Sequence, residues 1–107
     1  MRQPDLSNAN VVVVVFVMEG CGACKEYLPR FKKLAEPYRK AGLPILIYDA
    51  ASKDERVQNF ADRVGVDATP TTAILKRGPG VLKAEGSIPD EEIQQILGIA
   101  YLHAGGK

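Results

Sequence analysis

From Val11 to Phe31 the chain reads VVVVVFVMEGCGACKEYLPRF. The run Val11 to Met18 is apolar throughout, and its consecutive valines favour a strand because β-branched side chains are stiff at the first torsion. A strand apolar at every position fits the inside of a sheet, covered on both faces. Glu19-Gly20 breaks the run, and Cys21-Gly22-Ala23-Cys24 follows. From there Cys24, Tyr27, Leu28, Phe31, Leu34, Ala35 and Tyr38 recur at three- and four-residue steps, which predicts one buried face of a helix over about 21–40. Pro29 falls inside it, where its ring removes a hydrogen bond and predicts a kink. Ala41-Gly42 ends the segment.

Outward from this stretch the chain alternates. Pro44-Ile45-Leu46-Ile47-Tyr48 reads as a second strand, closed by Asp49. Ser52, with Glu55 three residues on, has the spacing of a capping box. Val57, Phe60, Ala61 and Val64 supply a helical stripe, and Gly65 suits its C-terminal stop. Thr71–Lys76 and Val81–Glu85 read as strands joined by the turn cluster Arg77-Gly78-Pro79-Gly80. Ser87 can cap a last helix with Asp90 at its third position. Ile93, Ile96, Leu97 and Ala100 form that helix's buried face, and Gly98 weakens its middle. The order is βαβαββα: an α/β chain with a central mixed four-stranded sheet flanked by helices on both faces. The first three strands, joined by helical crossovers, are expected to be mutually parallel, with the hairpin adding one antiparallel strand. Residues 1–107 read as a single domain, with a polar segment at 1–10 and a flexible tail at 103–107.

Composition narrows the function classes. The chain has 107 residues, 46% of them apolar and 25% charged, the balance of a globular domain and not of a disordered one. A net charge of +1 advertises no nucleic-acid or anionic-membrane surface. The apolar run before Glu19 is far short of the about 20 residues a membrane helix needs. Asp5 upstream and Glu19 directly after it argue against a secretory signal, so a cytoplasmic location is expected. The two cysteines cannot build a disulfide framework or a four-cysteine metal site. Only His103 could join them within one chain, so no metal is expected except through dimerisation.

The place of the cysteine pair carries its chemistry. The first N–H groups of a helix lack internal partners, and the dipole puts partial positive charge there. A Cys21 thiolate would be stabilised at that point, with Lys25 adding a cation one turn along. Cys24 belongs to the apolar stripe and is expected to be shielded. That asymmetry suits dithiol exchange: an exposed thiolate attacks a substrate disulfide, and its shielded neighbour resolves the mixed disulfide. Gly22 and Ala23 are small enough to admit a partner's backbone. A metal or cluster site shared between two copies, or an inert pair of buried thiols, are the alternatives.

With Cys21-Gly22-Ala23-Cys24-Lys25, Pro29, Ala68-Thr69-Pro70-Thr71, Gly78 and Gly86 in place, the chain resembles the thioredoxin superfamily over nearly all its length. The resemblance implies a thioredoxin-like fold in which Pro70 is cis and packs beside the redox pair. It also implies that Thr69 offers its backbone to an extended substrate, a form of strand addition. The plainer alternative, less favoured, is that Thr69-Pro70 is only a turn leading into a strand. The implied activity is thiol–disulfide exchange, with Cys21 and Cys24 catalytic and Gly22, Ala23, Thr69 and Pro70 shaping the substrate site. No cofactor is expected. Partners would be protein disulfides and a separate reductase or thiol pool, and the protein is expected to be a monomer.

Four positions depart from the family pattern. Gly20 stands where thioredoxins carry Trp, and Ala23 where they carry Pro. Val15 replaces a buried acid, and Ile45 stands near the place of a buried lysine. The interior below the pair is therefore expected to be apolar, which would raise the Cys24 thiol by desolvation. Its proton would pass to another group, Glu19 or a water, although Glu19 also reads as an ordinary solvated residue. The core is glutaredoxin-sized, without the extra strand and helix that open a full thioredoxin. Residues 25–40 hold Lys25, Arg30, Lys32, Lys33, Arg39 and Lys40 against Glu26 and Glu36, six minus two or +4. Such a run is a solvated helix face or a docking surface for an acidic partner. Two other classes of function compete with the oxidoreductase: a thioredoxin-like protein-binding subunit with dispensable cysteines, and a dimeric metal or cluster carrier.

Overall fold

A computed structural model of the chain describes residues 10–76 and 81–105. The polar segment before Asn10, the Arg77–Gly80 turn with Gly78, and the last two residues of the tail lie outside the described residues. The elements follow as β1 (Val11–Val17), α1 (Gly22–Lys40), β2 (Ile45–Asp49), α2 (Glu55–Val64), β3 (Thr71–Lys76), β4 (Val81–Glu85) and α3 (Asp90–His103). They build a four-stranded sheet in the order β2-β1-β3-β4. The valine run lies inside this sheet, and Val11 to Phe16 are all buried. Each such fully buried Val or Phe contributes about 1.5–3 kcal/mol of apolar transfer free energy.

Alternate residues of β1 serve two cores. Val11, Val13 and Val15 meet Tyr27, Phe31 and Ala35 of α1 and Ile93, Leu97 and Ala100 of α3. Val12, Val14 and Phe16 meet Val57 and Val64 of α2, with Leu46, Ala73 and Leu75. The period-2 alternation of the strand therefore sends α1 and α3 to one face and α2 to the other. Helices cover both faces of a mixed sheet, as the element order implies.

One expectation about strand direction is wrong, and it matters for function. β1 and β2 are parallel, but β3 runs antiparallel to β1, with Phe16 opposite Thr71 and Val15 opposite Thr72. β4 is antiparallel to β3. The crossover through α1 has 19 helical residues, about 28 Å, enough to carry the chain back along the sheet. The connection through the ten-residue α2 instead returns the chain to the end of the sheet where β2 left it. Because β3 descends, its first residue stands beside the last turn of β1. Thr69-Pro70 therefore arrives at the cysteine end; a parallel β3 would have carried it to the opposite end.

Smaller corrections concern helix ends. α2 is capped by Asp54, whose side chain accepts from the Arg56 N–H at 2.8 Å, and not by a Ser52–Glu55 box; Ser52 Oγ accepts from the Asp54 N–H instead. Two polar residues compete for the cap, and the nearer carboxylate wins. Gly65 does end α2, in the left-handed region at φ 73° that a side chain would resist. Pro89, not Ser87, precedes α3, because Ser87 Oγ is engaged with Glu26 and Arg30. His103 lies inside α3 rather than in a tail, since the N–H groups of Ala104 and Gly105 close the last turn on Ala100 and Leu102. α1 runs unbroken through Pro29 and Pro37.

Candidate active site at the head of α1

Cys21 is the N-cap of α1. Its backbone is extended, and its sulfur accepts the Cys24 N–H at 3.1 Å while its carbonyl accepts the Lys25 N–H. The approach from β1 turns on Gly20 at φ 80°, a conformation that any side chain would strain. Cys21 and Cys24 form a disulfide with Cα atoms 5.2 Å apart. Cys21 is half-buried, whereas Cys24 is only 4% exposed. Gly22 and Ala23 lie exposed between them. A Cβ built on Gly22 would meet nothing within 4 Å, so the open approach there belongs to the surface and not to the missing side chain.

The Thr69-Pro70 peptide bond is cis. Thr69 is half-buried, Pro70 is buried, and the Thr69 carbonyl lies 3.4 Å from Cys21 Sγ. A protonated Cys21 would donate to that oxygen; a disulfide or thiolate has no proton to give. The Pro70 carbonyl accepts the Gly86 N–H at 2.8 Å, and Thr71 Oγ1 donates to the Ala68 carbonyl at 2.6 Å, so the segment is held on both sides. The fold thus brings together all six site residues read from sequence: Cys21, Gly22, Ala23, Cys24, Thr69 and Pro70.

Below the pair the interior is apolar where Val15 lies, fully buried. One polar feature there escaped the sequence reading. The Tyr27 hydroxyl and Thr72 Oγ1 share a hydrogen bond of 2.7 Å, both residues fully buried. Burial pushes the Tyr27 phenol up, against a smaller opposite pull from Thr72, so it stays a neutral hydroxyl at ordinary pH. Tyr27 sits in the helical stripe and Thr72 in a strand far along the chain. The only signal in the sequence is that a buried hydroxyl demands a partner. Glu19 is exposed, and among the described residues no group of three or more His, Cys, Asp or Glu could hold a metal ion. No described helix is long and apolar enough to cross a membrane.

A second polar cluster fixes α1 one turn further on. Arg30 binds Glu26 at 2.6 and 3.1 Å, Asp90 at 2.6 Å, Ser87 Oγ at 2.8 Å and the Ile88 carbonyl at 3.0 Å. Its guanidinium also lies 5.6 Å from the Tyr27 ring centroid. Hydrogen bonds from Arg30 and then Ser87 lower the Glu26 carboxyl from 4.5 to about 2. The cluster ties the redox helix to the start of α3.

Comparison with known proteins decides the family. The sequence model of the family described as Thioredoxin matches residues 3–98. The chain belongs to the thioredoxin family. Among its relatives, this thioredoxin-family chain is 33% identical over 75 residues to protein disulfide isomerase-like 1-2 of Oryza sativa subsp. japonica, covering 70% of the chain and 14% of that protein. It is 28% identical over 92 residues to putative thioredoxin 2 of Streptomyces coelicolor, covering 83% of the chain and 62% of that protein. The chain therefore spans less than two thirds of either relative. The solution structure of the first thioredoxin domain of mouse protein disulfide-isomerase A4 superposes with a TM-score of 0.67 at 28% identity, over 89% of this chain and 66% of that one.

Proposed function

We propose that the protein is a thiol–disulfide oxidoreductase acting on protein disulfides through the Cys21–Cys24 pair. The observation that carries the reading is the unequal setting of the two sulfurs. Cys21 Sγ takes a backbone N–H at the head of α1 at 3.1 Å, and Cys24 is 4% exposed. The N–H and the helix dipole favour negative charge on Cys21. Its thiolate attacks one sulfur of a substrate disulfide, forms a mixed disulfide and releases the first substrate thiolate. Cys24 gives its proton to a water, attacks the Cys21 sulfur as the thiolate, closes the Cys21–Cys24 disulfide and releases the second substrate thiolate. Two electrons pass from the dithiol to the substrate. A separate reductase or thiol pool returns them, in a reducing, cytoplasmic setting. Gly22, Ala23 and Thr69 line the approach to Cys21, where an extended substrate segment would lie, and the buried Pro70 shapes it by fixing the course of Thr69.

Cys24→Ala is expected to accumulate mixed disulfides with substrate proteins, resolved by added dithiol, while Cys21→Ala accumulates none. Alkylation of Cys21 against pH should give a thiolate below the free-thiol value of about 8.5. Equal trapping by both variants, or an ordinary Cys21 titration, overturns the assigned roles. Binding of partners that survives serine at both positions would make the protein a docking subunit instead.

A further inference from the structure

The charges of α1 sort themselves once their partners are known. Glu26 is held by Arg30, and Glu36 by Arg39 at 2.7 and 3.0 Å, so both carboxylates of the helix are consumed by its arginines. Arg30 is further neutralised by Asp90. Lys25, Lys32, Lys33 and Lys40 are all exposed, and among the described residues they form no ion pair. At 100° per residue these four fall in an arc of about 100°, which also holds the Arg39-bound Glu36, opposite the face of Cys24, Tyr27, Phe31 and Ala35. They extend along about 22 Å of helix. The stripe starts one turn from Cys21.

We propose that this lysine stripe docks an acidic protein face, placing the disulfide it carries at Cys21. The inference rests on the disulfide-exchange reading and names its preferred substrate class: protein disulfides flanked by Asp or Glu. The rest of the chain sums to −3 (+1 minus +4), so an extended polyanion such as duplex DNA or an anionic bilayer finds no net positive charge outside this helix. A carboxylate-bearing surface of the stripe's own dimensions needs none there. Such contacts act within about one Debye length, roughly 8 Å at physiological salt, and so depend on ionic strength.

The test compares disulfide peptides of one length, each flanked by a tail of about ten residues bearing Glu, Gln or Lys, long enough when extended to follow α1 from Cys21 to Lys40, with hydroxyethyl disulfide as a small neutral substrate. At low salt the Glu-flanked peptide should be reduced about tenfold faster than the Lys-flanked one, with Gln between. High salt should erase that order. The triple variant Lys32→Glu, Lys33→Glu, Lys40→Glu, all remote from the cysteines, should invert it and leave hydroxyethyl disulfide reduction unchanged. Equal rates for the three peptides, or an order that survives charge reversal, overturns the inference. So does an absent peptide order together with charge-dependent binding to duplex DNA or phosphatidylserine vesicles. Titrating the same peptides with serine for cysteine reads docking alone, and the Glu-flanked one should bind tightest. If no disulfide is reduced, the exchange reading fails while this titration still decides the docking surface.

Discussion

On one face of the sheet α1 and α3 lie side by side over Val11, Val13, Val15 and Ile74; on the other, the ten-residue α2 covers Val12, Val14, Phe16 and Leu75. The first face buries Tyr27 and Phe31 completely, seals a hydroxyl pair between helix and sheet, and adds the Arg30 cluster across two helices. The second buries one aromatic, Phe16, completely and otherwise relies on partly buried ones, with Tyr48 packed between Phe16 at 6.3 Å and Phe60 at 5.7 Å. The heavier construction stands under the helix that carries the cysteines. A backbone N–H can stabilise charge on Cys21 only while its direction is held, and a helix anchored along its whole buried face holds it. The α2 face carries no such demand.

The largest expected effect separates the faces directly. Phe31→Ala should cost about 3–5 kcal/mol, as for a fully buried aromatic, and should lower the rate of disulfide exchange in the folded fraction. Phe60→Ala, at a half-buried site, should cost clearly less and leave exchange unchanged. Urea unfolding with an exchange assay on the same samples checks both, and equal costs would break the comparison. Next in size, Tyr27→Phe leaves the Thr72 hydroxyl buried without its partner and should cost about 1–3 kcal/mol. Adding Thr72→Val should recover much of that loss, which a double-mutant cycle reads as a coupling between α1 and β3. Additive losses would mean the pair contributes only packing.

The smallest effect is acid sensitivity. Glu26 titrates lower in the folded chain than in the unfolded one, so its contribution is complete above about 4.5 and is lost as pH falls towards about 2. Protection from hydrogen exchange at the start of α3, taken relative to the intrinsic rate at each pH, should fall over that window, and Glu26→Gln should flatten the change. On the α2 face the Arg56 N–H likewise holds the Asp54 carboxyl below its ordinary range. Asp54→Asn should keep that cap while removing its titration. If both substitutions changed the same amides, the two faces would not be separate.

Much of this arrangement is legible in the sequence because it is local. The valine run, the stripe from Cys24 to Tyr38 and the stop at Gly65 each follow from side-chain period or backbone sterics within a few residues. The position of Cys21 at the head of a helix is of the same kind. The Arg30 cluster is half legible: Glu26 at four residues' distance is a helical pair, but Ser87 and Asp90 are about sixty residues away, and nothing local joins them. The caps of α2 and α3 escaped for a related reason. At α2 the carboxylate of Asp54, two residues nearer the helix, took the cap from Ser52, and at α3 the long-range contacts of Ser87 with Glu26 and Arg30 left the helix to start after Pro89 with no side-chain cap.

By itself the sequence determined the number, kind and order of the elements, and it set one thiol at the head of a helix with the other in its buried stripe. Only the tertiary structure decided the direction of β3. Side-chain alternation is the same whichever way a strand runs, so Thr71–Lys76 reads identically upward or downward. The ladder that sets Phe16 opposite Thr71 settles it, and that direction brings Thr69 and Pro70 to Cys21.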